Sequence, residues 1–103
     1  MYTIGIDSDT ADGMFKNIII EESDAFIVLP GGHGTLDEFF EIVTLKVIKQ
    51  LDKPIAVVNL KGFYDMLIYH IRTYMEGDEF THAPMHKLFT ITETVPETLA
   101  AVL

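Results

Sequence analysis

The sequence predicts an α/β fold: a Rossmann-like parallel sheet of about four strands flanked by helices, in a truncated form of that architecture. Three observations predict it. Short apolar runs at residues 2–6, 24–29, 55–59 and 88–92 alternate with longer segments of helical periodicity. The run Phe26-Ile27-Val28-Leu29 is continuously apolar, as in a strand buried on both faces. A glycine-rich turn, Pro30-Gly31-Gly32-His33-Gly34-Thr35, then joins that run to the strongest helical pattern in the chain.

The 103 residues suffice for one domain, 1–103, that buries roughly two thirds of its unfolded surface. The composition is globular and nothing in it is low-complexity. Without cysteine there is neither a disulfide framework nor thiolate chemistry. No apolar run approaches the roughly 20 residues that span a bilayer, and no basic-then-apolar leader opens the chain, so a cytoplasmic location is expected. Seven basic residues face sixteen acidic ones, for a net charge of −9. That balance repels a nucleic-acid backbone and an anionic membrane, and neither is expected as a partner. A phosphate ligand therefore has to be held locally, by backbone N–H groups. Arg72 is the only arginine.

Taken in order, residues 2–6 read as a short strand. Residues 7–13 (DSDTADG) form an acidic turn. A calcium loop counted from Asp7 would need Asp or Asn at its fifth place, Gly at its sixth and a closing Glu. Ala11, Asp12 and Ile18 stand there instead, which leaves a solvated turn with Asp12 or Thr10 capping the next helix. Residues 14–22 contain three consecutive isoleucines that fit a strand, but a helix is preferred because a crossover must precede strand 24–29. Residues 35–50 form the main helix. Leu36, Phe39, Phe40, Val43, Val47 and Ile48 cover more than one of its faces, one side for the sheet and another for a second subunit.

Lys53-Pro54 opens strand 55–59, with proline at the first position, where a strand tolerates it. Lys61-Gly62 turns the chain into a helix over 63–76 that Gly77 ends. Its inner face carries Phe63, Met66 or Leu67, Ile71, and Tyr74 or Met75. Residues 78–87 are irregular, 88–92 form the fourth strand, and Pro96 starts a terminal helix. His82 and His86 have the spacing of a helical metal pair, but Pro84 lies between them and no third ligand is evident. No metal and no cofactor are expected.

The turn itself is the candidate site. Gly31, Gly32 and Gly34 lack a Cβ, so the backbone can take positive φ and approach a ligand closely. The helix after it aims its first N–H groups and the positive end of its dipole beyond the strand, which suits an anion, phosphate above all. The spacing matches neither the P-loop nor the dinucleotide fingerprint.

It does resemble another signature. Pro30-Gly31-Gly32-x-Gly34-Thr35-x-x-Glu38 resembles the LOG ("lonely guy") family, once labelled lysine decarboxylases. The likeness continues through Ser23-Asp24-Ala25-Phe26-Ile27, Lys53-Pro54, Asn59 and Gly62-Phe63-Tyr64, and more loosely through Glu76-Gly77 and the closing strand and helix, covering roughly 12–103. It implies a phosphoribohydrolase that cuts the N-glycosidic bond of a nucleoside 5′-monophosphate, freeing the base and ribose 5-phosphate without a cofactor. It also implies an AMP-like small-molecule ligand and a homodimer or higher homo-oligomer, since the family's motif helix lies near a dimer interface. No cofactor-lysine motif supports the decarboxylase label.

Carried over residue by residue, the resemblance gives the phosphate to the Gly31 turn, the N–H groups of Gly32, His33, Gly34 and Thr35, and the Thr35 hydroxyl. Glu38 would face the ribose, stabilise the positive charge that develops there and steer water, as carboxylates do in glycoside hydrolysis. Thr35-x-x-Glu38 is also the text of a capping box, in which Glu38 would only bond back to the N-cap. His33 holds the motif's variable position and reads as a loop tip. Asp37 and Glu41 read as the helix's polar face, with some dipole benefit for Asp37.

Two departures accompany the likeness. The family's N-terminal Rossmann half, with its own glycine-rich loop, has no counterpart here. In a doubly wound sheet the motif strand sits beside the chain's first strand at the switch point. Residues 2–6 are therefore expected to pair with strand 24–29, unless another chain supplies the partner. The family also carries an Arg-Lys pair before the motif strand. An ungapped alignment puts Phe15 at the arginine and Lys16, the second catalytic candidate, at the lysine. Losing one preorganised charged contact costs about 3–4 kcal/mol, on the order of a thousandfold in rate. Two alternatives to an active hydrolase stand beside it: a non-catalytic nucleotide or phosphosugar sensor, and a piece of a longer enzyme.

Overall fold

A computed structural model of the chain describes residues 4–7 and 23–103. Among the described residues four parallel strands form one sheet in sequential order: β1 (Ile4–Asp7), β2 (Ala25–Val28), β3 (Ile55–Val58) and β4 (Thr90–Thr92). Ile4 stands opposite Ala25, Phe26 opposite Ile55, and Ala56 opposite Thr90. The pairing of the first strand with the motif strand is thus made within the chain, and β2 is an interior strand. The order does not reverse among the described strands, so β2 lies between β1 and β3 and not at a switch point. Asp7, expected to open the acidic turn, ends β1; the rest of that turn, the expected helix over 14–22, and Phe15 and Lys16 lie outside the described residues.

The α-helices among the described residues are α1 (His33–Val47), α2 (Asp65–His70), which continues into a wide π-type turn at Ile71–Glu76, the single-turn α3 (Met85–Leu88), and α4 (Val95–Val102). Every residue of β2 and β3 is buried, because helices cover both faces of the sheet. Phe26, Val28, Ile55 and Val57 share one core with Phe39, Ile42 and Val43 of α1, with Tyr64 and Ile71, and with Met85 and Phe89. Ala25, Ile27, Ala56 and Val58 form the other with Val102 of α4. The alternation is the pleat itself: neighbours along a strand point to opposite faces. Ala25 and Ala56 have no exposed surface, and their small size leaves room for the short α4 to lie close to the strands.

Several boundaries differ from expectation for local reasons. α1 begins at His33, two residues before Thr35, because Gly32 is the N-cap and its carbonyl accepts the Leu36 N–H at 3.2 Å. It ends at Val47 in a Schellman closure: Gln50 N–H donates to the Leu45 carbonyl at 2.7 Å and Lys49 N–H to the Lys46 carbonyl at 3.2 Å. Lys49 takes the left-handed conformation, φ 61°, that glycine usually fills, so no glycine marked the stop. Behind it, Lys46 Nζ donates to the Lys53 carbonyl at 2.9 Å and ties the helix end to the approach of β3.

The expected helix over 63–76 starts at Asp65, and its inner face carries Leu67, Ile71 and Met75, while Met66 and Tyr74 are exposed. Tyr64, not Phe63, is the buried aromatic at its start. Gly77 does not close this helix in a left-handed turn: its φ is −61°, and Glu79 carries the positive φ of 63°. Glycine is required at 77 because a Cβ there would come within 2.2 Å of the Thr73 carbonyl oxygen. Residues 85–88, expected in part as strand, are the turn of α3, whose Met85 N–H donates to the Glu76 carboxylate. α4 starts at Val95 on the N-cap Thr94.

Lys49 supplies a stability test. The left-handed backbone costs a residue with a Cβ about 1–2 kcal/mol, part of which glycine returns as unfolded-state entropy. Lys49→Gly is expected to raise the unfolding free energy by about 0.5–1 kcal/mol in urea denaturation, with an unchanged m-value.

Candidate functional site

The site grows out of the C-terminal end of β2, where ligands of parallel α/β sheets bind. The chain leaves the strand at Leu29, turns through Pro30 and Gly31, and enters α1 at the N-cap Gly32. None of the three motif glycines has a positive φ; among the described glycines only Gly62 does, at 74°. Gly31 is required for close approach. A Cβ there would stand 2.1 Å from Thr35 Oγ1 and 2.9 Å from Thr35 Cβ. The turn therefore closes with the Thr35 side chain pressed against bare backbone.

Thr35 is only 2 % exposed, at the third position of the helix, and the N-cap Gly32 has no side chain with which to cap α1. The capping box legible in Thr35-x-x-Glu38 does not form, because the N-cap is Gly32. His33 and Gly34 occupy the first two helical positions, ahead of the ladder whose first rung is Leu36 N–H to Gly32 C=O. His33 is exposed. The expected anion donors at 31–35 are thus brought together within one turn of backbone.

Glu38 sits one turn beyond Gly34, at i+4, on the same face of α1. Helical Cα–Cβ bonds tilt toward the N-terminus, so its side chain leans back over a position that carries no side chain of its own. Glu38 is partly buried, and its carboxyl pKa is raised, first by burial and then by the charge of Glu41 one turn on. A carboxyl with a raised pKa beside an anion-suited turn is the kind of group that functional sites assemble. Beside it an open groove of about 630 Å³ runs down α1, floored by Leu36, Phe40 and Leu45 and edged by His33, Asp37 and Glu41. Lys16, the other catalytic candidate, lies outside the described residues.

A second loop abuts the turn. Asn59, at the end of β3, donates its backbone N–H to the Thr92 carbonyl at 2.7 Å and its side-chain NH₂ to Asp65 Oδ1 at 2.8 Å. Its Oδ1 accepts the Tyr64 N–H at 2.7 Å. Tyr64 is 4 % exposed, and its hydroxyl donates to the Leu29 carbonyl at 2.6 Å. The family likeness runs through Asn59 and Gly62-Phe63-Tyr64, but nothing in the sequence linked Asn59 or Tyr64 to the glycine-rich turn. The available signal was an aromatic pair after a strand end and a glycine turn. Among the described residues no group of three or more His, Asp or Glu side chains is gathered as a metal site. No helix among them is long and apolar enough to cross a membrane.

The parallel sheet, the bare turn at its strand ends and the carboxyl one helical turn behind define a Rossmann-like α/β domain built around an anion-suited loop. The family model described as "possible lysine decarboxylase" matches residues 12–102, and the chain belongs to that family. Curated relatives point the same way. Over 75 residues the chain is 40% identical to "Probable cytokinin riboside 5'-monophosphate phosphoribohydrolase LOG6" of Arabidopsis thaliana, covering 72% of this chain and 37% of that one. It is 38% identical over 85 residues to the corresponding "LOGL5" protein of Oryza sativa subsp. japonica, covering 82% and 34%. It is 43% identical over 61 residues to "Cytokinin riboside 5'-monophosphate phosphoribohydrolase LOG1" of Arabidopsis thaliana, covering 59% and 29%. The chain spans about a third of the length of these relatives.

Two substitutions test the geometry. Gly31→Ala is expected to destabilise the fold by about 1–3 kcal/mol, as overpacking does, and Thr35→Ala in the same chain should restore part of the loss in urea denaturation. Glu38→Gln should act the other way. The raised pKa means that ionising Glu38 costs more in the folded than in the unfolded chain. That penalty is absent at low pH, grows as pH rises through the two pKa values, and is complete above the folded one. Glu38→Gln is therefore expected to raise Tm at pH 7, with the gain vanishing below about pH 4, where both states are protonated.

Proposed function

We propose that this domain binds a nucleoside 5′-monophosphate through its phosphate and belongs to a phosphoribohydrolase that cleaves the N-glycosidic bond. The observation that carries the reading is the placement of Glu38, its carboxyl pKa raised, one turn behind the glycine-rich start of α1. In this reading the N–H groups around residues 32–35 hold the phosphate and fix the ribose over Glu38, while the Thr35 hydroxyl, expected to join them, is seated in the core against Gly31. As the bond between the base and C1′ lengthens, the ribose becomes cationic. The Glu38 carboxylate stabilises that charge, and water adds to C1′, so that base and ribose 5-phosphate leave with the elements of one water added. AMP is the reference substrate. Lys16 supplies a further positive charge in the family's catalytic pair. The reading extends to a cytoplasmic homo-oligomer assembled through the outer side of α1, where Val47 and Ile48 are exposed.

A second reading has one observation in its favour: Phe15 stands where the family's arginine aligns. It makes the domain a nucleotide or phosphosugar sensor that binds without cleaving.

Incubation with AMP, with free adenine then measured by chromatography, separates the two. The first reading expects adenine release that falls at least about a hundredfold in Glu38→Ala, with AMP binding retained by calorimetry. Binding without release, unaffected by Glu38→Ala, would establish the sensor. Absence of any AMP or phosphate binding would overturn both.

A further inference from the structure

We infer that Tyr64 is a positioning residue for the anion loop: its hydroxyl, held on the Leu29 carbonyl, sets the path of residues 30–35. The inference deepens the proposed phosphate site and takes its functional meaning from it, but it stands on separate geometry. The Leu29 carbonyl belongs to the Leu29–Pro30 peptide, so a 2.6 Å hydrogen bond to it fixes the plane of that peptide. Proline then fixes its own φ near −65° by its ring. Gly31 comes next, packed against the Thr35 side chain. Between the end of β2 and the start of α1, few backbone rotations are left to vary. The bond from Tyr64 removes the one nearest the strand.

The second loop is built to deliver that hydroxyl. Lys61 and Gly62 take left-handed φ values of 51° and 74°, and a Cβ on Gly62 would come within 2.5 Å of Asp65 Oδ2. Asp65 accepts from the Asn59 side chain, and Asn59 accepts the Tyr64 N–H. The Phe63 ring stands edge-on to Tyr64, with centroids 4.8 Å apart, and closes the outer side. Tyr64 is thereby anchored at its backbone, its ring and its hydroxyl, and the hydroxyl reaches the residue from which the motif departs.

Tyr64→Phe keeps the buried ring and removes the bond, and Thr98→Val serves as a control. The Thr98 hydroxyl meets the Thr92 hydroxyl at 2.7 Å and the Thr94 carbonyl at 2.7 Å, on the sheet face opposite Tyr64; Thr92 joins the second loop through its backbone carbonyl, which the substitution leaves in place. Amide hydrogen exchange is read in each variant at Leu36, whose N–H closes the first rung of α1 on the Gly32 carbonyl of the loop. Exchange at this loop-held amide is expected to accelerate on the order of tenfold in Tyr64→Phe and to stay at the wild-type rate, relative to the β3 amides, in Thr98→Val. Equal acceleration of loop and β3 amides in Tyr64→Phe, or no acceleration at all, would overturn the inference. AMP titration adds the functional arm: a Kd weakened on the order of tenfold with kcat nearly unchanged marks positioning. If wild-type protein binds no AMP, the phosphate reading fails, while the exchange comparison still decides whether Tyr64 sets the loop.

Discussion

The contact between the Thr35 side chain and the bare backbone of Gly31 is the constraint on which the rest of the structure depends. It lets the chain pass from strand to helix within four residues, and it fixes where around its axis α1 begins. Thr35, Phe39, Ile42 and Val43 are the buried residues of that helix, and their spacing of four, three and one makes a single stripe. Thr35 is thus the first residue of the core stripe. Once it is seated, Phe39 lies edge-on against Phe89, with ring centroids 5.1 Å apart, and Ile42 and Val43 reach the face made by Phe26, Val28, Ile55 and Val57. A larger residue at 31 would tilt the start of the stripe and every contact downstream of it. The same close packing sets the first N–H groups of α1 at the strand ends, so the core and the candidate site share one cause.

Most of the architecture was legible because burial on both faces leaves a strong mark. Ala25 to Val28 and Ile55 to Val58 are uninterrupted apolar runs, and each became a central strand. What stayed hidden were features decided by backbone geometry that two different sequences can satisfy. Thr35-x-x-Glu38 and Thr94-x-x-Glu97 are the same text. Only the second caps a helix: Thr94 is extended, φ −129° and ψ 161°, its side chain accepts the Glu97 N–H at 3.2 Å, and the Glu97 carboxylate accepts the Glu93 N–H at 3.0 Å. Ahead of Thr35, a glycine pair lets the helix start two residues sooner, and the hydroxyl residue is carried inside. The text cannot distinguish these cases, because the difference lies in whether the preceding residues can turn early enough.

The Phe63–Tyr64 pair was hidden for a related reason. Periodicity assigned Phe63 to the core, since it falls on the stripe through Leu67 and Ile71 if the helix runs from 63. The helix starts at Asp65, and the two residues before it belong to a turn shaped by Asn59 and Gly62. Phe63 then faces outward at 55 % exposure, and Tyr64 goes in. Residue type alone favours this: a buried tyrosine needs a partner for its hydroxyl, and the Leu29 carbonyl is within reach. The site residues at 31–35 and Glu38 were named from the motif; the loop that braces them became visible only when β3 was placed beside β2.

A chain of net charge −9 is a poor host for a phosphate at first sight, and distance resolves the conflict. The start of a helix carries about half a positive charge, and at 4 Å in a surface dielectric it contributes about 2 kcal/mol per unit of phosphate charge. A carboxylate about 15 Å away in water opposes by about 0.3 kcal/mol before screening, and a Debye length of about 8 Å reduces that several-fold. Local amides outweigh the distant surplus. Asp37, Glu38 and Glu41 are the near charges, and Glu38 lies one turn from the proposed phosphate, its pKa raised by burial and by Glu41. In the proposed reaction its carboxylate opposes the phosphate before the bond opens and meets positive charge as the ribose becomes cationic. An interaction that is more favourable in the transition state than in the ground state is one that lowers a barrier.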